Sequence, residues 1–503
     1  MRKLLSMILA ILMIAAMMSA TFGAAAESQK PLSMTAMLVQ YNQPPDPNGV
    51  YWQQLLKDNN LEYSIEWVPE SAYADKCSLV LATGELPDVI QLTSSTDAVV
   101  VNAANNGLFK DLTPFIESGK YENLNKISAS AWMNSKINGK NYIIPRSRGQ
   151  YNTSLFIRGD LLKKLGMETP TTIEELTKYF EGIRDLDPNM IPLPMEINTI
   201  MSFVQGAFGD GPIVPVYTAD GSGILFDRLT ESYALAVEWL QKMYNEGVLA
   251  KEFALYKTDK NQDVVLAGIG GARHQNVWHR YRLSTELQKV VPDGFFTPLF
   301  YIKGDKGTDV QYDIGYYGGH AISASVPDDK VEQILSFFNK TANPDTYNYY
   351  HYGPEGVYWN MVDGFPVLTE AGVKDVTNSF YGPVVEATAL YSKADSPLAD
   401  AAYNMETREM AKVIDKVAED MGHAPFHIFS IIQSPAWSQY WAMAKGDFES
   451  YVADTIAGKH TVDEFRAYQA QICADSQVQD AFKEFKASYD AFGLASWTAP
   501  KMD

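Results

Sequence analysis

The stretch "LEYSIEWVPESAYADKCSLVLATGELPDVIQL" (residues 61–92) changes its periodicity twice. Leu61, Tyr63, Ile65 and Trp67 alternate with Glu62, Ser64 and Glu66, the pattern of a strand with one wet face. A helix follows and stops at Gly84, and Asp88–Leu92 reads as a short apolar strand. Upstream, "MTAMLVQYN" (34–42) reads as a buried strand with a polar aromatic tip. "VYWQQLLKDNN" (50–60) sets Trp52, Leu55 and Leu56 at helical spacing. This β-α-β-α-β order predicts a mainly parallel sheet with crossover helices.

The pattern restarts in "INGKNYIIPRSRGQYNTSLFIRGDLLKKLG" (137–166). It holds a Gly139 turn, a short strand to Pro145, a polar joint, a strand Thr153–Arg158 and a helix closing at Gly166. Thr171 with Glu174, and Thr461 with Glu464, have the spacing of capping boxes. "ESYALAVEWLQKMYNEG" (231–247) puts Tyr233, Val237, Leu240 and Tyr244 on one helical face. The last third is mostly helical. Two α/β halves emerge, joined by crossings near Arg148, Gly315 and the 380s.

Arg2 and Lys3, an apolar run from Leu4 to Met18 and the small residues of "TFGAAAES" form a secretory signal, with cleavage expected after Ala26. The run is shorter than the roughly 20 residues of a spanning helix. No Cys stands at the cleavage point, so a lipid anchor is not expected there and the mature chain should be periplasmic or secreted. The net charge of −20 argues against nucleic acid and anionic lipid. Cys77 and Cys473 leave open one disulfide or two buried thiols.

Six phrases then occur in a familiar order. They are "LATGELPDVI" (81–90), "GLFKDLTPFIE" (107–117), "INGKNYIIP" (137–145), "FIRGDLLKKLGMETPTTIEELTKYFEGIRDLDPN" (156–189), "WLQKMYNEGVL" (239–249) and "YGPEGVYW" (352–359). Together they resemble bacterial extracellular solute-binding proteins of family 1, especially the lipoprotein-like carbohydrate subgroup. The resemblance implies an α/β, two-lobed periplasmic-binding-protein (Venus flytrap) fold of type II with a helical C-terminal region. It implies discontinuous lobes, 27–148 with 316–380 and 149–315 with 381–503, after a signal peptide at 1–26. It further implies a non-enzymatic, monomeric receptor without cofactor that hands an oligosaccharide to the transmembrane subunits of an ABC importer.

There is no G-x-S-x-G, no H-E-x-x-H and no P-loop; "GIGGAR" (268–273) lacks the Lys-Ser/Thr pair and reads as a glycine-lined strand exit. His423 and His427 are spaced like zinc ligands, but Pro425 interrupts their helix. Asp185, Asp187, Asn189 and Glu196 fall at calcium-loop positions, but Met190 replaces the required glycine. Glu355, among Tyr352, Tyr358, Trp359 and Phe365, is the best lone candidate for a tuned acid, yet the only acid near it in sequence, Asp363, is a weak choice of partner. A secreted polysaccharide-processing enzyme (glycosidase or lyase) and a receptor for peptides or other small molecules on the same scaffold stay open as alternatives.

Binding a sugar calls for flat aromatic platforms and groups that exchange hydrogen bonds. Such residues gather at the expected strand exits and crossings: Tyr41 and Asn42; Ser94, Ser95 and Asp97; Arg146, Arg148 and Tyr151; Asn276 and Trp278. To these are added Tyr316, Tyr317 and His320, then Glu355 and Trp359, and finally Trp437. Arg146 and Arg148 would suit an acidic sugar, because guanidinium grips carboxylate through two parallel hydrogen bonds.

Overall fold

The computed structural model describes residues 30–41, 44–149, 151–209, 215–256, 258–375, 383–385, 401–421 and 428–492. Its strands are β1 Leu32–Gln40, β2 Leu61–Pro69, β3 Val89–Leu92, β4 Ile143–Ser147, β5 Thr153–Arg158, β6 Ala272–Asn276, β7 Phe296–Leu299, β8 Tyr301–Lys303, β9 Thr308–Val310, β10 Tyr316–Ile322, β11 Trp359–Val362 and β12 Phe365–Leu368.

The first lobe is built on a sheet in the order β2-β1-β3-β10-β4. β1 is apolar on both faces because it lies inside the sheet, with a helical layer on each side. Met34, Ala36 and Leu38 pack with Trp52 and Leu55 of α1 (Val50–Asp58) and with the helix Asp328–Thr341. Met37 and Val39 pack on Tyr73, Cys77 and Leu81 of α2 (Glu70–Thr83) and on Val100 of α3 (Ala98–Asn105). Gly84 ends α2 in the left-handed region (φ 73°), where a side chain would be strained.

β1 pairs parallel with β2 and β3, as the β-α-β-α-β order predicts, but β10 runs antiparallel to both β3 and β4. β10 returns from the other lobe, so no crossover helix sets its direction.

The second lobe repeats the scheme. Its sheet β6-β5-β7 is wholly antiparallel, which corrects the expectation of a mainly parallel sheet in this half. Single parallel bridges, Ile191 to Gly270 and Leu193 to Leu249, extend it beyond β6. The order 249, 193, β6, β5, β7 therefore matches that of the first lobe, with β5 in the place of β10. Its core joins Leu155 and Ile157 of β5 to Phe180 of α4 (Ile173–Leu186) and Trp239 of α5 (Glu231–Asn245).

A helix α6 (Ala401–Met421) covers a smaller cluster of Tyr151, Trp278 and Tyr312. The C-terminal helices α7 (Pro435–Ile456), α8 (Val462–Cys473) and α9 (Ser476–Ala491) pack Phe448, Phe465 and Phe482 onto the large core. α8 opens on the expected Thr461–Glu464 capping box. α4 instead uses Thr172 and Glu175, one residue beyond the expected pair, because the Glu175 carboxylate accepts N–H groups from both Thr171 and Thr172.

Two crossings between the lobes lie side by side. Ser147 pairs with Tyr316, and the Arg148 N–H donates to Gly315 O at 2.8 Å. Cys77 and Cys473 are free thiols in different lobes.

Candidate ligand cleft

β3 carries the chain to the cleft edge of the first lobe, and Thr93–Asp97 turns it into α3. Ser94 Oγ accepts the Thr96 and Asp97 N–H groups at 3.0 and 3.2 Å, which shapes the turn. Ser95 Oγ donates to Asn134 O and lies 2.6 Å from Tyr316 Oη. Asn134 Nδ2 in turn donates to Ile314 O at 2.6 Å. The loop is thus tied to the crossing by buried hydrogen bonds.

Thr96 from this turn, with Ala98 and Asn102 of α3, faces the segment 429–439 of the second lobe across a pocket of about 430 Å³. That volume falls in the usual range of small-molecule sites, roughly 300–1,000 Å³. Aromatic rings floor it. Phe226 and Trp437 have ring centroids 4.3 Å apart, and Trp437 stacks on Trp441 at 5.1 Å and 18°. Phe429 meets Phe226 edge-on at 5.2 Å.

Gln433, Ser434 and Gln439 supply polar groups. Ser434 caps α7 by accepting the Trp437 N–H at 2.9 Å and donates to Glu484 Oε2 at 2.6 Å, while Pro435 takes the first helical position.

A smaller pocket of about 200 Å³ lies where 191–193 and β6 end, lined by Thr153, Glu196, Asn261, His274 and Asn276. This is where open α/β sheets place ligands. Burial holds the His274 ring below the ordinary imidazole range, with a hydrogen bond to Gln311 opposing and the Arg273 charge adding to the shift.

A third group sits at the cleft end of the first sheet. The Arg146 guanidinium is buried 5.8 Å from the Tyr41 ring centroid, and Tyr317 beside them is exposed. Burial pushes the Tyr317 phenol up to about 12, with Tyr41 and Glu70 adding to it and Arg146 opposing.

The other candidate residues lie as follows. Asp97 is exposed at the start of α3. Arg148 Nη1 donates to Ser147 O, and its charge faces Asp313. Burial pushes the Asp313 carboxyl up to about 6, although Gly315 N–H and Asn152 hydrogen-bond to it. Tyr151 and Trp278 are buried under α6, with Trp278 Nε1 donating to Asn152 Oδ1 at 3.1 Å. His320 is wholly buried inside the first lobe, 5.2 Å from the Phe338 ring.

Glu355 is exposed in the turn before β11, and Trp359 Nε1 donates to Gly353 O at 2.9 Å. Asn42, His423 and His427 lie outside the described residues.

Among the described residues, no three His, Cys, Asp or Glu side chains converge as metal ligands. Asp187 Oδ1 accepts both N–H groups of Asn189, and Glu196 belongs to the smaller pocket instead. "GIGGAR" enters β6 rather than leaving a strand. A Cβ on Gly271 would stand 2.3 Å from Pro192 O, so the glycine permits close strand approach.

Sequence reasoning missed Phe226, Gln433 and Gln439. The available signal was the Ser-Pro helix start at 434–435, which aims the preceding residues at the cleft.

The profile of the bacterial extracellular solute-binding protein family matches residues 51–354. The polygalacturonan/rhamnogalacturonan-binding protein YtcQ of Bacillus subtilis is 27% identical over 370 residues, covering 71% of this chain and 72% of YtcQ. The lipoprotein LipO of the same organism is 25% identical over 381 residues, 72% of this chain and 74% of LipO. Among solved structures, an HMO-binding, ABC-transporter-associated protein of Bifidobacterium longum infantis superposes with a TM-score of 0.65 at 17% identity, covering 92% of this chain and 99% of that one. The alginate-binding protein AlgQ2 superposes with a TM-score of 0.60 at 18% identity, with the same coverage. At these identities the superpositions establish the two-lobed fold alone.

Proposed function

The chain belongs to the bacterial extracellular solute-binding protein family, and from that premise we propose that it captures an oligosaccharide between its lobes and delivers it to an ABC importer. The observation that carries the reading is the pocket itself. Thr96 and Asn102 of one lobe face the Phe226–Trp437 floor and the Gln433–Gln439 rim of the other. Rings stack on the apolar faces of sugars, and neutral amides and hydroxyls exchange hydrogen bonds with their hydroxyl groups. YtcQ, and the fructooligosaccharide substrate-binding protein FusA of Streptococcus pneumoniae at 28% identity over 286 residues, are carbohydrate receptors by name.

The mechanism is hinge closure. The crossings at Arg148 and Gly315 are the hinge, and contacts made to ligand by both lobes at once favour the closed state. The lobes comprise 27–148 with 316–380 and 149–315 with 381–503. The ligand-facing set is Tyr41, Ser94, Thr96, Asp97, Asn276, Tyr317 and Trp437, joined by Phe226, Gln433 and Gln439. Arg146, Tyr316, Tyr151, Trp278 and His320 support these from within the lobes. The protein acts as a monomer, exported by a cleaved signal, and meets the permease outside the cytoplasm. No helix among the described residues is long and apolar enough to cross a membrane.

The protein does not turn its ligand over. Equilibrium dialysis against an oligosaccharide panel, followed by chromatography of the retained sugar, tests this. The sugar is expected back intact. Retention of peptides alone, or recovery of cleaved sugar, rejects the reading.

A further inference from the structure

We propose that the cleft selects uncharged oligosaccharides and excludes chains of uronic acids, an inference that rests on the reading of the cleft as an oligosaccharide site. None of the described residues lining the pocket is Lys, Arg, Asp or Glu. Its polar groups are hydroxyls and amides, which both donate and accept. A carboxylate offers only acceptors, and stripping it of water without a cation to receive it is costly.

Two nearby sources of positive charge already hold carboxylates. The amino end of α7 borders the pocket through Ser434, Pro435 and Trp437, and a helix amino end is the kind of place that attracts anions. Here Glu484 Oε2 accepts the Ala436 N–H at 3.0 Å and the Ser434 hydroxyl at 2.6 Å, so a resident carboxylate occupies it. The guanidinium beside the aromatic floor, Arg228, lies 5.4 Å from the Trp441 ring centroid and is 3.6 Å from Glu449 Oε1. Neither Arg146, buried 5.8 Å from the Tyr41 ring centroid, nor Arg148, whose charge acts on Asp313, lines the pocket. On the opposite wall Asp97 stands exposed beside Thr96 and Ala98. Asp97, Glu484 and the overall charge of −20 give the cleft a potential that repels a polyanion. In ligand class the chain therefore departs from YtcQ, whose name records polygalacturonan.

The test is isothermal titration of the full chain with tetragalacturonate, its fully methyl-esterified form, and neutral gluco-, manno- and galacto-configured tetrasaccharides. At least one uncharged ligand is expected to bind ten or more times tighter than tetragalacturonate, with the gap narrowing as salt is raised. Gln439→Lys, at an exposed rim position, is expected to keep the melting temperature and improve binding of tetragalacturonate severalfold. Equal or tighter binding of the free acid by the unaltered chain overturns the inference and leaves the oligosaccharide reading standing. Binding of none of these sugars overturns both.

Discussion

Phe226 and Trp437, far apart in sequence, lie with ring centroids 4.3 Å apart and planes inclined by 37°. One precedes α5 and the other opens α7, so the contact joins the central part of the second lobe to its C-terminal helices on the cleft surface. Phe226 is half-buried, so its ring both packs and presents a face to the pocket. Phe226→Ala is expected to weaken oligosaccharide binding by about tenfold, equivalent to about 1.4 kcal/mol, and to lower the melting temperature by several degrees. Phe226→Tyr, which keeps the ring, should retain most of both, as titration and calorimetry will report.

The bond between Ser95 and Tyr316 is a second point of leverage. It is buried at 2.6 Å and links the cleft turn to the crossing. Tyr316→Phe should cost about 1 kcal/mol, the net worth of a typical buried hydrogen bond. In calorimetry that appears as a fall of a few degrees. An unchanged melting temperature would mean that the turn is held by other contacts.

Asp309 sets an expectation for pH. It is buried on β9, and burial pushes its carboxyl from 3.8 up to about 7, despite hydrogen bonds from Gly206 N–H and Gln311 that favour the charged form. A folded-state value above the unfolded one means that this group's stabilisation is complete below about pH 4 and is lost as pH rises through about 7. Asp309→Asn should therefore gain stability relative to the unaltered chain between pH 4 and 8. Melting curves across that range check the sign. The same direction holds for Asp313, raised to about 6.

The two thiols belong to different cores, and burial pushes both up to about 11. A thiol reagent should find two free thiols after unfolding, and reducing agent should leave the melting temperature unchanged. Fewer than two would indicate a disulfide.

Much of the fold was legible in local patterns. The alternation in 61–67 places Leu61 and Tyr63 inward and Glu62 and Glu66 outward, as found. Gly84, Gly139, Gly166 and Gly247 mark their turns through positive φ. The directions of β10 and β5 were not legible, because a strand arriving from the other lobe carries no local sign of its neighbours. Nor was burial at the crossings. Trp278 and His320 sit among Gly and polar residues that suggest a surface, yet α6 and Phe338 cover them. Half of the pocket was hidden for the same reason. Phe226 and Gln433 look like ordinary loop residues until α7 and α9 bring their segments together.

Small-angle X-ray scattering of the full chain, with and without a saturating uncharged oligosaccharide, tests the central claim most directly. Capture between the lobes predicts a smaller radius of gyration with ligand, and the same saccharide recovered uncut afterwards. An unchanged radius at saturation, with the sugar bound, would contradict it.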